Sequence, residues 1–180
     1  VNGGSITIDG VDVRDMKREA LRSMIGMVLQ DTWLFAGTIK ENIRYGRLDA
    51  TDQEVVDAAR AAHANGFIMS MPGGYDMELH EGASNIAQGQ RQLLAVAKVL
   101  LCRPDTLLLD EPVKGLDRAA RETVAALVAE RAAAGAAVVA ATHDLAFARD
   151  CCTTVSMVFD GALVGTAPAD GFFRESVFFS

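Results

Sequence analysis

Two unbroken apolar segments constrain the fold of this chain more than any other feature. Residues 106–109 and 136–141 carry no charged side chain, and the residues before each of them, 88–101 and 118–133, have the pattern of a helix. Continuous apolar strands that alternate with helices are typical of a parallel sheet covered on both faces. The sequence therefore predicts an α/β fold.

Polar residues that could carry chemistry follow the predicted strands. Asp110 and Glu111 come directly after segment 106–109, His143 follows segment 136–141, and Gln30 ends a predicted strand at 24–29. Ligands of open parallel sheets bind at the carboxyl ends of the strands. There a first carboxylate can hold Mg²⁺, and a second can orient and deprotonate the water that attacks a phosphoryl group. From these residues alone, an Asp-Glu pair in an ordinary strand-to-loop turn remains the alternative.

The segment NIAQGQRQLLAVAKVLL, residues 85–101, places a turn of small residues and glycine before an amphipathic helix. The N-terminus of a helix attracts anions because its first N–H groups are free and its dipole is positive there. A plain glycine-containing helix cap is the alternative interpretation. The helix start is therefore a candidate phosphate site.

Local turn signals predict the remaining elements. Asp9-Gly10 and Asp160-Gly161 each separate two strand-like segments and favour β-hairpins. Thr51 and Glu54 have the spacing of a capping box at the start of a helix that runs to about residue 63. The pattern between residues 31 and 75 is helical.

The overall composition excludes several classes of partner. The net charge of -7 and the pI of about 4.9 argue against nucleic-acid binding, which requires clustered basic residues. The longest apolar stretch, 132–141, is too short to span a bilayer. The three cysteines match neither a zinc motif nor a disulfide framework, so we expect reduced thiols.

Five short segments, in order along the chain, resemble the motifs of ABC transporter nucleotide-binding domains. VLQD ending at residue 31 resembles the Q-loop, and QGQRQ at 88–92 resembles the signature. LLLDEP at 107–112 resembles Walker B, GLD at 115–117 the D-loop and THD at 142–144 the H-loop. The resemblance covers essentially the whole chain. It implies a P-loop NTPase-like ABC ATPase core with an inserted helical subdomain. The implied parts are a β-rich start at 1–30, a helical subdomain at 31–88 and a core at 89–180.

The resemblance also implies a role for each matching residue. It implies Glu111, His143 and Gln30 as catalytic residues, Asp110 and Gln30 as Mg²⁺ ligands, and a set of nucleotide-binding residues: Ala87, Gln88, Gly89, Gln90 and Asp117. The implied cofactors are ATP and Mg²⁺. The implied partners are a second nucleotide-binding domain in a head-to-tail dimer and the transmembrane domains of a transporter. The expected function is ATP hydrolysis that powers transport at the cytoplasmic face of the plasma membrane, with no nucleic-acid partner.

Two departures from the family pattern weaken the expected activity. None of the four lysines follows a glycine, so the chain has no Walker A segment of the GK[ST] type. We expect that this segment belongs before Val1, that the N-terminal part of the domain is missing, and that the isolated chain binds ATP poorly and is inactive. Ala87 stands where the family usually has a serine, and the missing hydroxyl removes a bond to the γ-phosphate.

The two halves resemble different branches of the family. Residues 4–92 resemble the ATPase domain of exporters, whereas the sequence from Ala97 onward resembles ATPases of cobalt or energy-coupling-factor importers. Two alternatives to a transport ATPase stay open: a soluble ABC ATPase that acts on DNA or ribosomes, and a truncated or chimeric fragment that cannot bind ATP alone.

Overall fold

The structure, a computed structural model, describes residues 3–30 and 33–174. Its helices are α1 (Arg18–Met24), α2 (Ile39–Arg44), α3 (Asp52–Ala61), α4 (Asn65–Ser70), α5 (Gln88–Leu101), α6 (Arg118–Ala133), α7 (Leu145–Cys151) and α8 (Ala169–Phe172). Its strands are β1 (Thr7–Ile8), β2 (Val11–Asp12), β3 (Ile25–Val28), β4 (Gly37–Thr38), β5 (Glu78–Leu79), β6 (Thr106–Asp110), β7 (Ala137–Ala141), β8 (Thr154–Phe159) and β9 (Ala162–Pro168). Short 3-10 turns lie at Val13–Asp15, Gly74–Asp76 and Glu81–Ala83.

A parallel sheet of three strands in the order β3-β6-β7 forms the centre of the fold. Val28 pairs with Leu109, and Asp110 pairs with Ala141, so the carboxyl ends of the three strands lie at one edge. Helices α5 and α6 provide the connections that parallel strands require. The predicted α/β fold with a parallel sheet is confirmed, and both connecting helices have the predicted bounds.

One face of this sheet carries the core. Leu107 and Leu109 are buried there, and helix α5 packs so closely that a Cβ atom on Gly26 would overlap the side chain of Val99. On the opposite face, Met27 and Val139 remain 52% and 59% exposed. In the described residues this second face is thus partly open, so the predicted cover of both faces is incomplete there, whereas the parallel sheet with flanking helices is confirmed.

Helices α2 and α3 pack against α5, α4 packs against α3, and these helices extend the core with buried residues such as Ile39, Ile43 and Leu94. Thr38 and Thr51 each start a helix with a complete capping box. The box at Thr51 confirms the prediction from sequence, although its helix ends at Ala61 and not at residue 63. The division at residues 30 and 88 remains a prediction.

Glycine permits a backbone contact between α2 and α5. Gly46 follows α2, and a Cβ atom there would overlap the carbonyl oxygen of Lys98. The same turn accepts a hydrogen bond of 2.9 Å from the Sγ atom of Cys102 to the Gly46 carbonyl oxygen. A residue with any side chain would push the two segments apart.

Both predicted hairpins are present. β1 pairs with β2 around Asp9-Gly10, and β8 pairs with β9 around Asp160-Gly161. In the second hairpin β9 extends to Pro168, beyond the predicted segment. Among the described residues, no helix is long and apolar enough to cross a membrane.

Candidate functional site

Glu111 lies directly beyond the carboxyl end of β6, and the neighbouring strand fixes its backbone. Its N–H group donates a hydrogen bond of 2.8 Å to the carbonyl oxygen of Ala141 at the end of β7. Its φ angle of 47° is left-handed, a conformation that is unfavourable for a residue with a side chain. Such strain persists only where the surroundings impose it, and it is concentrated at functional sites.

The carboxylate of Glu111 is held by two side chains of the turn that follows β7. The Nδ1 atom of His143 lies 2.8 Å from Oε1 of Glu111, and the Oγ1 atom of Thr142 donates to Oε2 at 3.4 Å. The Glu111 side chain is 19% exposed, whereas that of His143 is 71% exposed. The structure thus brings Glu111 and His143 together, as the strand order predicts.

Asp110 is exposed at the same edge of the sheet. With Leu29, Val139 and Ala141 it borders a cleft of about 230 Å³ at the ends of the three strands. Gln30 is exposed and follows Leu29, just beyond the carboxyl end of β3, the strand that pairs with β6. Asp110 and Gln30 therefore share one edge of the sheet.

Oxygen ligands of this kind fit Mg²⁺. The described residues contain no group of three or more histidine, cysteine and acidic side chains that could hold a metal ion by themselves. Mg²⁺ usually binds to one or two protein carboxylates and completes its coordination with water and substrate phosphates. The pair of Asp110 and Gln30 fits such a shared site better than a closed protein cage.

The start of α5 forms a second group of candidate residues. The side chain of Gln90 accepts a hydrogen bond of 3.0 Å from the N–H of Ala87. The Nε2 atom of Gln88 donates to the carbonyl oxygen of Lys114 at 3.1 Å, and Gly89 is so close to α6 that its Cβ would lie 3.0 Å from that of Ala120. Residues 87–90 therefore pack on the loop that follows Glu111.

This second group does not contact the Glu111 carboxylate. No hydrogen bond in the described part of the chain joins residues 87–90 to Glu111. Asp117, another predicted nucleotide-binding residue, caps α6 by accepting a hydrogen bond of 2.8 Å from the N–H of Ala120. The predicted residues thus form two clusters within one molecule, Glu111 with His143 and residues 87–90 with the 114–120 segment.

Two residues near Glu111 were not predicted from the sequence. Arg121 of α6 forms an ion pair of 3.2 Å with Asp144, and Asp144 caps α7 by accepting a hydrogen bond from the N–H of Phe147. The cap could have been recognised, since aspartate directly before a helical pattern is a common N-cap. The ion pair could not, because its partners are far apart in sequence.

An aromatic cluster lies on the surface near α5. The rings of Trp33, Phe35 and Tyr45 have centroid distances of 5.6 to 5.8 Å, and the Nζ atom of Lys98 lies 5.2 Å from the Trp33 ring centroid. The same Nζ atom donates a 3.0 Å hydrogen bond to the carbonyl oxygen of Trp33. Burial lowers the pKa of Lys98. The three rings pack on one another, although Trp33 is 59% exposed.

The buried side chain of Asn42 holds the segment at Phe35 by hydrogen bonds. Asn42 is 1% exposed, and its side chain accepts a hydrogen bond from the N–H of Phe35 while it donates to the carbonyl oxygens of Phe35 and Thr38. The segment at Phe35 is therefore fixed to α2 by one side chain.

A protein-family model described as "ABC transporter" matches residues 1–114. This chain belongs to the ABC transporter family. The match covers more than half of the chain and includes the predicted Q-loop, signature and Walker B residues. It confirms the family resemblance and identifies the chain as an ABC transporter ATP-binding domain.

Curated relatives are similar over about two-thirds of the chain. An uncharacterized ABC transporter ATP-binding protein of Bacillus subtilis is 52% identical over 116 residues, which are 64% of this chain and 19% of that protein. A fatty acid ABC transporter ATP-binding/permease protein of Mycobacterium bovis is 49% identical over 117 residues, 65% of this chain and 18% of that protein. A putative multidrug export ATP-binding/permease protein of Bacillus subtilis is 47% identical over 117 residues, 65% of this chain and 20% of that protein. The chain thus spans about a fifth of the length of these relatives.

A solved structure matches nearly the whole chain. The structure of a bacterial Atm1-family ABC exporter with ATP bound covers 98% of this chain and 31% of its own, with a TM-score of 0.87 and 32% sequence identity. This match confirms the ABC ATPase fold. The resemblance of the sequence after Ala97 to importer ATPases stays a prediction.

Proposed function

We propose that this ABC transporter domain hydrolyses ATP to drive transport across a membrane. The observation that carries the proposal is the contact between Glu111 and His143 at the carboxyl end of the parallel sheet, with Asp110 directly before it. This arrangement suits phosphoryl transfer, in which one carboxylate coordinates a metal ion and the next activates the attacking water. Relatives named as export ATP-binding/permease proteins favour export as the direction.

In this proposal Glu111 acts as the general base. Its carboxylate accepts the proton of the attacking water while His143 orients it and contacts the γ-phosphate. Asp110 and Gln30 would hold Mg²⁺, which, when bound, neutralises the charge that develops on the phosphate oxygens. Every one of these groups lies at the edge where parallel sheets bind ligands.

The start of α5 would bind a nucleotide that another domain presents. Gln88, Gly89 and Gln90 lie away from Glu111, so they suit the γ-phosphate in the site of a second nucleotide-binding domain, with Asp117 at the contact between the two domains. Ala87 contributes no hydroxyl there. We therefore expect a head-to-tail dimer with weaker phosphate binding than a serine in its place would give.

Transmembrane domains are the other proposed partners. Two of the relatives are named as ATP-binding/permease proteins, and both are about five times as long as the part matched here. Fusion to such a permease would hold this domain at the cytoplasmic face of the plasma membrane. The acidic net charge of -7 supports a partner other than nucleic acid.

A second candidate, a fragment that does not bind ATP alone, is favoured by one observation. No lysine of the 180 residues follows a glycine, so the chain contains no loop of the kind that cradles phosphates in this fold. We expect the isolated chain to bind ATP weakly and to hydrolyse it poorly, and to gain both activities within a longer polypeptide that supplies such a loop.

The test is Mg²⁺-dependent ATP hydrolysis by the natural polypeptide that carries these residues, compared with its Glu111→Gln variant. Loss of the general base lowers turnover about 100-fold or more. Glu122→Gln is the control, because Glu122 pairs with Arg118 on the exposed side of α6. Equal turnover in all three proteins would contradict the proposal. Assay of the 180-residue chain alone tests the second candidate.

A further inference from the structure

We propose that Arg121 and Asp144 are positioning residues for Glu111. Together they hold the turn of residues 142–144 so that Thr142 and His143 both reach the Glu111 carboxylate. The inference rests on the proposed hydrolytic role of Glu111. It adds two residues, on α6 and at the start of α7, that do not touch the carboxylate themselves.

The ion pair joins α6 to the turn after β7. The Nη1 atom of Arg121 lies 3.2 Å from Oδ2 of Asp144, and the Arg121 and Asp144 side chains are 40% and 19% exposed. The Nε atom of Arg121 is buried and has no hydrogen-bond partner. Arg121 is thus partly withdrawn from water, and its ion-pair partner Asp144 lies in the turn after β7.

Asp144 connects this ion pair to the turn in three ways. Its Oδ1 atom accepts a 2.9 Å hydrogen bond from the N–H of Phe147 and so starts α7. Its Oδ2 atom meets Arg121, and its own N–H group donates to the Oγ1 atom of Thr142 at 3.0 Å. One residue therefore fixes the helix start, the approach of α6 and the Thr142 side chain.

Thr142 completes the path to the carboxylate. Its hydroxyl accepts a hydrogen bond from the N–H of Asp144, so its proton is free to point to Oε2 of Glu111, 3.4 Å away. His143 holds the other oxygen, Oε1, at 2.8 Å. The rotation of the Glu111 carboxylate is thus set by two adjacent residues of a turn that Arg121 anchors.

Arg118, on the same helix, forms an ordinary exposed ion pair and so provides a comparison for Arg121. Arg118 lies one turn before Arg121 and is 92% exposed, and among residues 3–30 and 33–174 it pairs only with Glu122, four residues along α6. Exposed pairs of this kind contribute little to structure. Arg118→Met is therefore a matched control for Arg121→Met, with the same loss of charge and the same helix.

The expected kinetic effect is selective. In the described residues, no hydrogen bond or ion pair joins Arg121 or Asp144 to residues 87–90, so the main effect is expected on the chemical step, through a displaced Glu111 carboxylate, and a smaller one on ATP binding, through His143. A misplacement of a reacting group by about 1 Å can lower activity up to about 100-fold. We expect Arg121→Met and Asp144→Asn to lower kcat about 10-fold with a smaller change in KM for ATP, and Arg121→Lys to restore part of the loss.

Two measurements test this. The first is kcat and KM for ATP in the natural polypeptide that carries these residues, for Arg121→Met, Arg121→Lys, Asp144→Asn and Arg118→Met. The second needs no activity: NMR of ring-labelled histidine in the 180-residue chain, which has three histidines. We expect the His143 resonance to move in Arg121→Met and Asp144→Asn, while His63 and His80 stay in place and Arg118→Met changes nothing.

The outcomes separate this inference from the proposed function. If Arg121→Met matches Arg118→Met in kcat and in the His143 resonance, or if it raises KM and leaves kcat unchanged, the positioning role is wrong. If the wild type does not hydrolyse ATP, the proposed function fails, and the His143 resonance still decides whether Arg121 holds the turn. Should Arg121→Met unfold, Arg121→Lys provides the same comparison, since it keeps the charge and changes the geometry.

Discussion

The Nδ1 atom of His143 lies 2.8 Å from the Oε1 atom of Glu111, although 32 residues separate them in the sequence. The parallel pairing of β6 with β7 causes this approach, because Asp110 is opposite Ala141 and the chain leaves both strands at the same edge. Any residue pair in these two positions would be neighbours. That this pair is an acid and an imidazole makes it a candidate for proton transfer.

Replacing His143 by alanine should lower ATP turnover about 100-fold, because Glu111 then loses its closest side-chain contact. Steady-state hydrolysis in the natural polypeptide measures the change. His63→Ala is the control, since His63 pairs with Glu130 at the surface, 3.2 Å away, and has no contact with the site. A His143→Ala protein as active as His63→Ala would contradict the role proposed for His143.

Gly46→Ala should destabilise the fold by about 3 kcal/mol, because its Cβ would overlap the backbone carbonyl of Lys98 and force α2 and α5 apart. Chemical denaturation measures the free energy of unfolding. Gly66→Ala in α4 is the matched control: nothing lies within 4 Å of its Cβ position, and alanine favours a helix by about 0.5 to 1 kcal/mol. Equal effects of the two substitutions would contradict the close packing at Gly46.

Asn42→Ala should lower the free energy of unfolding by about 3 kcal/mol, since Phe35 and Thr38 lose backbone partners in a buried place. Asn85→Ala is the comparison, because Asn85 is only half-buried and its similar bonds to the backbone of His80 and Glu78 are exposed to water. Water replaces those bonds, so we expect a loss of only about 1 kcal/mol. A larger loss for Asn85→Ala than for Asn42→Ala would show that burial does not decide the effect.

Stability should fall between pH 4.5 and pH 2 in part through Glu54. The backbone N–H of Thr51, followed by Arg47 and the Thr51 hydroxyl, lowers the pKa of Glu54 from 4.5 to about 2. A carboxyl group with a lowered pKa stabilises the fold above its ordinary pKa, and this contribution is lost as the pH falls to about 2. Denaturation at pH 5 and pH 3 should therefore differ less in Glu54→Gln than in the wild type. An unchanged difference would contradict the prediction.

Lys98→Met should loosen the aromatic cluster. The substitution removes the hydrogen bond to the Trp33 carbonyl and the contact of the ammonium group with the Trp33 ring. Trp33 is the only tryptophan of the chain, so the anisotropy of its fluorescence reports the loop directly and should fall. Lys40→Met is the control, because Lys40 pairs with Asp76 and Asp52. Equal anisotropy in both variants would contradict the role of Lys98.

The helices and strands of the second half could be predicted closely from local patterns. The bounds of α5 and α6 follow from apolar periodicity, and β6 and β7 are continuous apolar segments between helices. The position of Glu111 beside His143 follows from the same pattern, because neighbouring parallel strands end at one edge.

Features that depend on distant contacts could not be predicted. The pairing of Arg121 with Asp144 requires the packing of α6 on α7, and the fixing of Phe35 by Asn42 requires the fold of the loop between them. The face of the sheet that α5 and α6 leave open also could not be read from β6 and β7, since a continuous apolar strand has the same sequence whether one side or both sides are packed.

That open face governs how the 180-residue chain behaves in concentrated solution. An apolar patch is exposed on this face of the sheet and consists of Met27, Leu29 and Val139. The net charge of -7 makes the molecules repel one another. Salt screens the repulsion and leaves the attraction between apolar patches in place. We therefore expect the chain to stay monomeric at low ionic strength and to self-associate reversibly through this patch as salt is added.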